Sequence, residues 1–363
     1  MIYATPPIAP DLQQQLDELA TLRAALGSEV KARGRWMGSL RREVRASSIE
    51  SSTSIEGFSV SPEEALALAN GRDVADREEN AQAVACYARA MDHVGTMGID
   101  PTFQWSNRVI LDLHFDACYF QRDKDPGLWR SGSIGVTAAD GSLEYEGPGA
   151  EQVVALMDEV VEWLADGDLG ADVVVRAAMA HLHVTSVNPF RDGNGRISRI
   201  VQSLVLAREG LTAPEFFSIE EYLSSHTQEY YAALRQVQGG SYQPDRDASG
   251  WVSFCVTAHL AQARQRLAQI KEAAARWASL EGLVEARNWP DRLVIALEQS
   301  LGGGTDRGRY GAEADVSPAT ASADFRRLLD AGLVEQRGRG RNIGYLASDR
   351  LRGMLADANL DRP

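Results

Sequence analysis

The chain has 363 residues, 44% of them apolar and 24% charged, a globular composition long enough for two domains whose core needs no disulfide or metal staple. Its 51 acidic residues against 37 basic ones give a formal charge of −14, which argues against a nucleic-acid coat or a membrane-surface binder as the role of the whole chain, although a local basic patch is compatible with it. Cys86, Cys118 and Cys255 lie far apart with no CxxC or Cys/His spacing, so buried thiols in a reducing compartment are expected in place of a zinc site or a disulfide framework.

In chain order, the opening MIYATPPIAP has neither a charged n-region nor an apolar h-region, and no apolar run approaches about 18 residues, so a cytoplasmic protein without a membrane span is expected. Leu12, Leu16, Leu19, Leu22 and Leu26 form one helical stripe, and Trp36, Met37, Leu40 and Val44 form a second. A Ser/Thr cluster runs from Ser47 to Ser54, and Ser61-Pro62-Glu63-Glu64 reads as cap, first turn and acidic start of another helix. Helical patterns follow over 76–95 and 102–119. Residues 131–147, with Asp140-Gly141 at the centre, predict a short β-hairpin. Helices return at 150–166, 171–186, 195–209, 218–237 and 248–285.

Residues 288–350 read as a separate unit. A short helix (Asp291–Ser300) precedes a helix capped by Ser317-Pro318 and stopped at Gly332, then two strands, Leu333–Gln336 and Ile343–Leu346, joined by an Arg/Gly-rich turn. That is a winged-helix layout. Between 301 and 350 there are eight Arg and seven Asp/Glu, a net of +1, so the rest of the chain carries −15. Arg326 and Arg327 on the second helix, with Arg337, Arg339 and Arg341 along the wing, suit phosphate contact; Asp324 on the same helix opposes it, and protein docking stands level with DNA binding.

The densest chemistry is at 188–199, Asn-Pro-Phe-Arg-Asp-Gly-Asn-Gly-Arg-Ile-Ser-Arg. A Gly-Asn-Gly loop entering a helix presents backbone N–H groups and the positive end of the helix dipole to an anion. Arg196 and Arg199, three residues apart, share a helix face and both reach an oligophosphate. Asp192 is placed to hold Mg²⁺ between phosphates. Together these indicate a nucleoside triphosphate site.

The segment resembles the signature of the Fic (Fido) family, HPFx[DE]GN[GK]RxxR, at eleven of twelve positions. The resemblance extends to the hairpin at 131–147 and to Tyr222 and Glu229-Tyr230-Tyr231 downstream. It implies a mainly α fold: a Fic-type helical bundle with a β-hairpin flap (101–285), preceded by a helical region (1–100) and followed by the winged-helix domain (286–363). It also implies AMP transfer from ATP, with Mg²⁺, to a Ser, Thr or Tyr hydroxyl of a protein target, and a homodimer or DNA as further partners. By the same resemblance Asp192 binds the metal, Gly193, Asn194 and Gly195 hold the α- and β-phosphates, and Arg196 and Arg199 bind phosphate, Arg199 at the γ-position.

Two features qualify that picture. The family's first motif residue is a His that takes the proton from the target hydroxyl; here it is Asn188, whose amide is no base near neutral pH. The site is then a pseudoenzyme, a member with altered chemistry such as a phosphodiester reaction using metal-activated water, or an otherwise intact site with an engineered change. A nucleotide-sensing, DNA-binding regulator without catalysis is the alternative function. His181 and His183 are nearby in sequence but read as core or supporting residues; His93, His114, His226 and His259 form no cluster. Second, Ser52-Thr53-Ser54-Ile55-Glu56-Gly57 resembles the family's inhibitory motif [ST]xxxE[GN], which implies that Glu56 pairs with Arg199 and blocks the γ-phosphate position.

Overall fold

The computed structural model describes residues 1–31, 36–69, 71, 78–137, 141–338 and 343–360. They form two compact units: residues 1–31 with 42–267, and residues 32–41 with 268–363. Among the described residues no helix is long and apolar enough to cross a membrane.

The larger unit contains α1 (Pro10–Lys31), most of α2 (Met37–Ser54), α3 (Pro62–Ala69), α4 (Glu79–Ile99) and α5 (Asn107–Cys118). A hairpin follows, β1 (Gly135–Thr137) with β2 (Leu143–Glu146), antiparallel, pairing Gly135 with Glu146 and Val136 with Tyr145. Its expected turn residue Asp140 lies outside the described residues. Then come α6 (Val153–Asp166), α7 (Val173–Val187), α8 (Asn194–Arg208), α9 (Pro214–Phe217), α10 (Glu220–Ser225), α11 (Thr227–Gln238) and the start of α12 (Ser249–Glu285).

The centre of this unit is the α7–α8 pair. Every residue from Val174 to Val187, and from Arg196 to Ala207, is buried. A helix buried all round must be covered by others, and α4 and α5 pack on α8 while α6 packs on α7. The Ser/Thr run before Glu56 is helical, as the last turns of α2. Serine there does not open the helix because its hydroxyls find partners: Thr53 donates to Glu50 O, Ser54 donates to Ser51 O, and Ser48 meets Ser218. The pattern read over 218–237 divides at His226, where φ is −125° and ψ 40°.

The smaller unit contains α13 (Leu293–Leu301), α14 (Arg307–Ala314), α15 (Pro318–Asp330), β3 (Val334–Arg337), β4 (Gly344–Ala347) and α16 (Asp349–Leu360). β3 and β4 are antiparallel, and Thr305 bridges to Tyr345 on the far side of β4. Ser317 caps α15 by accepting from Thr320 N, with Pro318 at the first helical position. Phe325 stacks on Tyr345 at 3.8 Å between ring centroids, over a core that includes Tyr310, Leu328 and Leu333. Asp324 lies on this inner stripe, not on the outer face that sequence alone suggested. Its carboxylate accepts from Arg292 at 2.8 and 3.0 Å and from the Tyr310 hydroxyl at 2.7 Å.

This buried acceptor yields a stability prediction. Asp324→Ala leaves the Tyr310 hydroxyl and one side of Arg292 without their partner, and is expected to cost about 2–4 kcal/mol by chemical denaturation. Asp324→Asn, which keeps the shape and one acceptor oxygen, is expected to cost less. Equal losses for the two would contradict the hydrogen-bonding role.

Candidate functional site

The site is built where α7 stops and α8 starts. Asn188 ends α7 in the left-handed conformation, φ 46° and ψ 60°, with its N–H on Val184 O, and Pro189 prevents continuation. Asn and His are among the few non-glycine residues that tolerate this region, so the exchange of one for the other preserves the backbone. Gly193 then turns the chain at φ 74° into α8; a Cβ there would run into Cys118 Sγ. The intervening loop is stitched by Asn194, whose side chain accepts from Phe190 N at 2.9 Å and donates to Phe190 O at 2.8 Å. No side chain caps α8, so its first N–H groups face the cleft as an anion site.

Two residues that sequence reasoning missed fix this loop from outside. Arg130 is buried and directs its guanidinium entirely at carbonyls: Nε to Asn188 O (2.7 Å), Nη1 to Gly132 O (2.7 Å) and Nη2 to Pro148 O (2.5 Å). It thereby ties the Asn188 turn to both feet of the hairpin. His114 accepts from Gly127 N at Nδ1 (2.9 Å), which places its proton on Nε2, where it donates to Asp192 O (3.0 Å). Its ring stacks on Phe190, and burial pulls its pKa down to about 4, keeping it neutral.

Glu56 closes the anion site. Its carboxylate accepts from Arg196 Nε at 2.6 Å and from Arg199 Nη2 at 2.8 Å, so it grips both motif arginines, not Arg199 alone. Both arginines are buried, while the Glu56 side chain keeps 18% of its exposure. Arg199 also donates to the Ser52 hydroxyl and carbonyl, and Arg196 donates to Gln121 Oε1, whose Nε2 donates to Asp192. The Phe58 and Phe120 rings flank Arg196 at 5.4 and 5.3 Å. Arg196 Nη1 is buried with no partner, an orphan donor of the kind an incoming anion satisfies. Burial pushes the Glu56 carboxyl up, but the two guanidiniums together outweigh it and hold the pKa below the usual range. The contact is thus complete above the ordinary carboxyl pKa of about 4.3, and is lost only as pH falls through the depressed value.

Glu56 and Phe58 line a cleft of about 760 Å³, with Asn188, the loop Arg191–Gly195, the hairpin residues Gly135–Thr137, Glu144 and Tyr145, and Tyr230, Tyr231, Arg235 and Gln238 from α11. Asp192 is 40% exposed; one oxygen takes Gly193 N and the other Gln121 Nε2, and each keeps a lone pair. Among the described residues no group of three or more His, Cys, Asp or Glu could hold a metal. A single free-faced carboxylate fits a cation such as Mg²⁺ only when phosphate oxygens complete the shell. His181 and His183 are buried in α7 with pKa values lowered to about 3 by burial, so both rings are neutral near pH 7. His181 donates from Nδ1 to Gln202 Oε1 and accepts from the Tyr230 hydroxyl; His183 packs edge-on against Trp163.

In the smaller unit, Arg326 and Arg327 are exposed on α15 and Arg337 is exposed at the end of β3, whereas Arg339 and Arg341 lie outside the described residues.

Comparison with known proteins agrees with this geometry. The Fic/DOC family model matches residues 104–206. Over 95 residues, 26% of this chain, the sequence is 36% identical to a protein adenylyltransferase of Caenorhabditis elegans, and over 98 residues it is 31% identical to a probable protein adenylyltransferase of Aquifex aeolicus. These matches span 18% and 28% of those proteins, so the chain covers less than a third of their length. The crystal structure of a Fic family protein from Desulfovibrio desulfuricans superposes with a TM-score of 0.61 at 19% identity, covering 95% of this chain and 98% of that one, which establishes the fold.

The packing around Glu56 predicts a way to loosen it without touching it. A Cβ on Gly195 would come within 2.6 Å of Glu56 Oε1, the movable end of a flexible side chain. Gly195→Ala is therefore expected to displace the carboxylate, and, because the same Cβ would stand 3.2 Å from Arg199 Nη1 in the space an anion would enter, to weaken inorganic triphosphate binding by calorimetry in a Glu56→Gly background. Unchanged affinity in that background would show that the added methyl leaves the anion's space open.

Proposed function

We propose, for a chain whose residues 104–206 are a Fic/DOC domain, a nucleotidyltransferase site that binds ATP with Mg²⁺ and directs AMP to a protein, and that Glu56 holds shut. One observation carries this reading: a carboxylate occupies both arginines beside an uncapped helix start, the place an oligophosphate would take. The backbone N–H groups of Asn194 and Gly195 would bind the α- and β-phosphates, joined by that of Gly193 once it leaves the Asp192 carboxylate, and Arg196 and Arg199 would bind the phosphate that displaces Glu56. Asp192 would hold Mg²⁺, which neutralises phosphate charge when bound.

Asn188 sets the limit of the chemistry. Its amide can orient a hydroxyl by hydrogen bonding but cannot take its proton, and loss of a general base typically costs about 10²–10⁴ in rate. Transfer to Ser, Thr or Tyr hydroxyls is therefore impaired in this chain. Two changes test the reading. Glu56→Gly should tighten ATP, and ADP much less, because only ATP presents the phosphate that competes with the carboxylate. Adding Asn188→His, on a backbone that already has the required turn, should produce an AMP adduct by mass spectrometry at least about 100-fold faster than Glu56→Gly alone. Its rate should rise with pH through about 6.5 as the imidazole loses its proton. Unchanged ATP affinity in the first protein and no adduct in the second would leave a scaffold without this activity.

A second reading concerns the smaller unit alone. Asp324 is turned inward and neutralised by Arg292, whereas Arg326, Arg327 and Arg337 face solvent, which favours contact with a DNA phosphate backbone. Alanine at these three arginines should weaken duplex binding and flatten its salt dependence. An intact chain that binds no duplex at low salt would assign the unit to protein docking.

A further inference from the structure

Resting on the nucleotidyltransferase reading above, we propose that the acceptor suited to the Asn188 site is an oxygen already ionised near neutral pH, a carboxylate or a phosphate monoester, and not a hydroxyl. When a hydroxyl attacks the α-phosphorus of ATP, an O–P bond forms, the bond to the β-phosphate breaks, pyrophosphate leaves, and a proton must be received. When a carboxylate or phosphate oxygen attacks, the same bonds form and break, the leaving electron pair goes to pyrophosphate, and no proton moves. The products are a mixed acyl or phosphoryl anhydride of AMP and pyrophosphate.

The cleft matches the second case. Each titratable group among its described lining residues is already engaged or poorly suited as a base. Glu56 is held by two guanidiniums, and Glu144 pairs with Arg235. Asp192 takes hydrogen bonds from Gly193 N and Gln121. Tyr145 donates to Ser186 O and Tyr230 donates to His181, while burial pushes the Tyr231 hydroxyl pKa up. Behind the lining, His114, His181 and His183 are buried and neutral.

The same cleft is equipped to receive an anion. Arg191 and Arg235 line it, with 52% and 47% of their side chains exposed. Their present partners, Asp125 at 2.6 Å and Glu144 at 3.3 Å, are surface pairs of the kind that contribute little and exchange readily. Two exchangeable guanidiniums beside the α8 N-terminus offset the repulsion between an anionic nucleophile and ATP.

The test uses the full-length Glu56→Gly protein with Mg²⁺ and ATP labelled at the α-phosphate. Acetate, methyl phosphate and a blocked threonine amide serve as carboxylate, phosphate and hydroxyl probes. Pyrophosphate release and the AMP adduct are followed, with hydroxylamine to trap an acyl anhydride. Release should be stimulated by acetate or methyl phosphate, which tells the two anions apart, and not by the threonine amide. It should be flat between about pH 7.5 and 9, where acetate and the methyl phosphate dianion both persist and no imidazole base titrates. Arg191→Ala with Arg235→Ala should raise the KM for the anionic probe about tenfold with little change in kcat. In the Glu56→Gly, Asn188→His protein the threonine amide should become a substrate with a pH-dependent rate. Threonine modification by the Asn188 protein at a comparable rate overturns the proposal. So does a silent Asn188 protein beside an active Asn188→His variant, and that result leaves the nucleotidyltransferase reading standing. Silence in both proteins, with ATP bound, removes both.

Discussion

Two guanidiniums buried against the positive end of a helix cannot stand without an anion, and the surrounding structure is arranged to meet that constraint. Arg196 and Arg199 are placed by the first turn of α8, inside a unit where α8 is covered on all sides. Unpairing such buried charges typically costs about 3–5 kcal/mol. Glu56 meets the need from within the chain, with Ser52 and Gln121 taking further donors while Arg196 Nη1 is left without a partner. On the proposed reading a triphosphate would meet it from outside. Because the two anions use the same donors, stability without ligand and access for ligand oppose each other, and the protein without nucleotide is expected to rest in the closed arrangement.

The loop between α7 and α8 depends on a second constraint, which is conformational. Asn188 and Gly193 both have positive φ, and between them Asn194 pairs with Phe190. Arg130 and His114 then fix the loop's carbonyls at Asn188 and Asp192. Neither contact uses the Asn188 side chain. The turn is therefore held through backbone groups, at a positive φ that Asn tolerates.

Much of this was legible in the sequence, for identifiable reasons. Contacts within one turn of a helix are encoded locally, so the spacing of Asp192, Gly193, Arg196 and Arg199 carried the anion site directly. Glu56 was reached through a motif resemblance, but its grip on Arg196 was not, because that contact depends on how α2 approaches α8 from 140 residues away. Arg130, His114, Gln121 and Phe58 left no signal for the same reason: each acts through partners distant in sequence. Asp324 was misjudged for a local reason. It falls on the inner stripe with Ala321, Phe325 and Leu328, and periodicity would have placed it inside, but its charge suggested solvent. The Ser/Thr run of α2 carried no assignment, since composition alone does not show hydroxyls satisfied within a helix.

The two halves of the chemistry belong to different elements. On the proposed reading phosphate affinity would reside in α8; removal of a proton from an acceptor would reside in the residue that ends α7. A substitution at the end of α7 can therefore remove one function and leave the other, which a site with shared residues would not permit. Such a separation changes what selection can act on. If no residue in the cleft accepts a proton, a bound nucleotide would act as a signal with Glu56 release as its output, serve a phosphodiester reaction with metal-activated water, or form half of a reaction whose other partner arrives ionised. Arg191 and Arg235 line the cleft wall, and the proposed ionised partner is what they would receive. It is their placement, more than the loss at Asn188, that inclines the site toward chemistry.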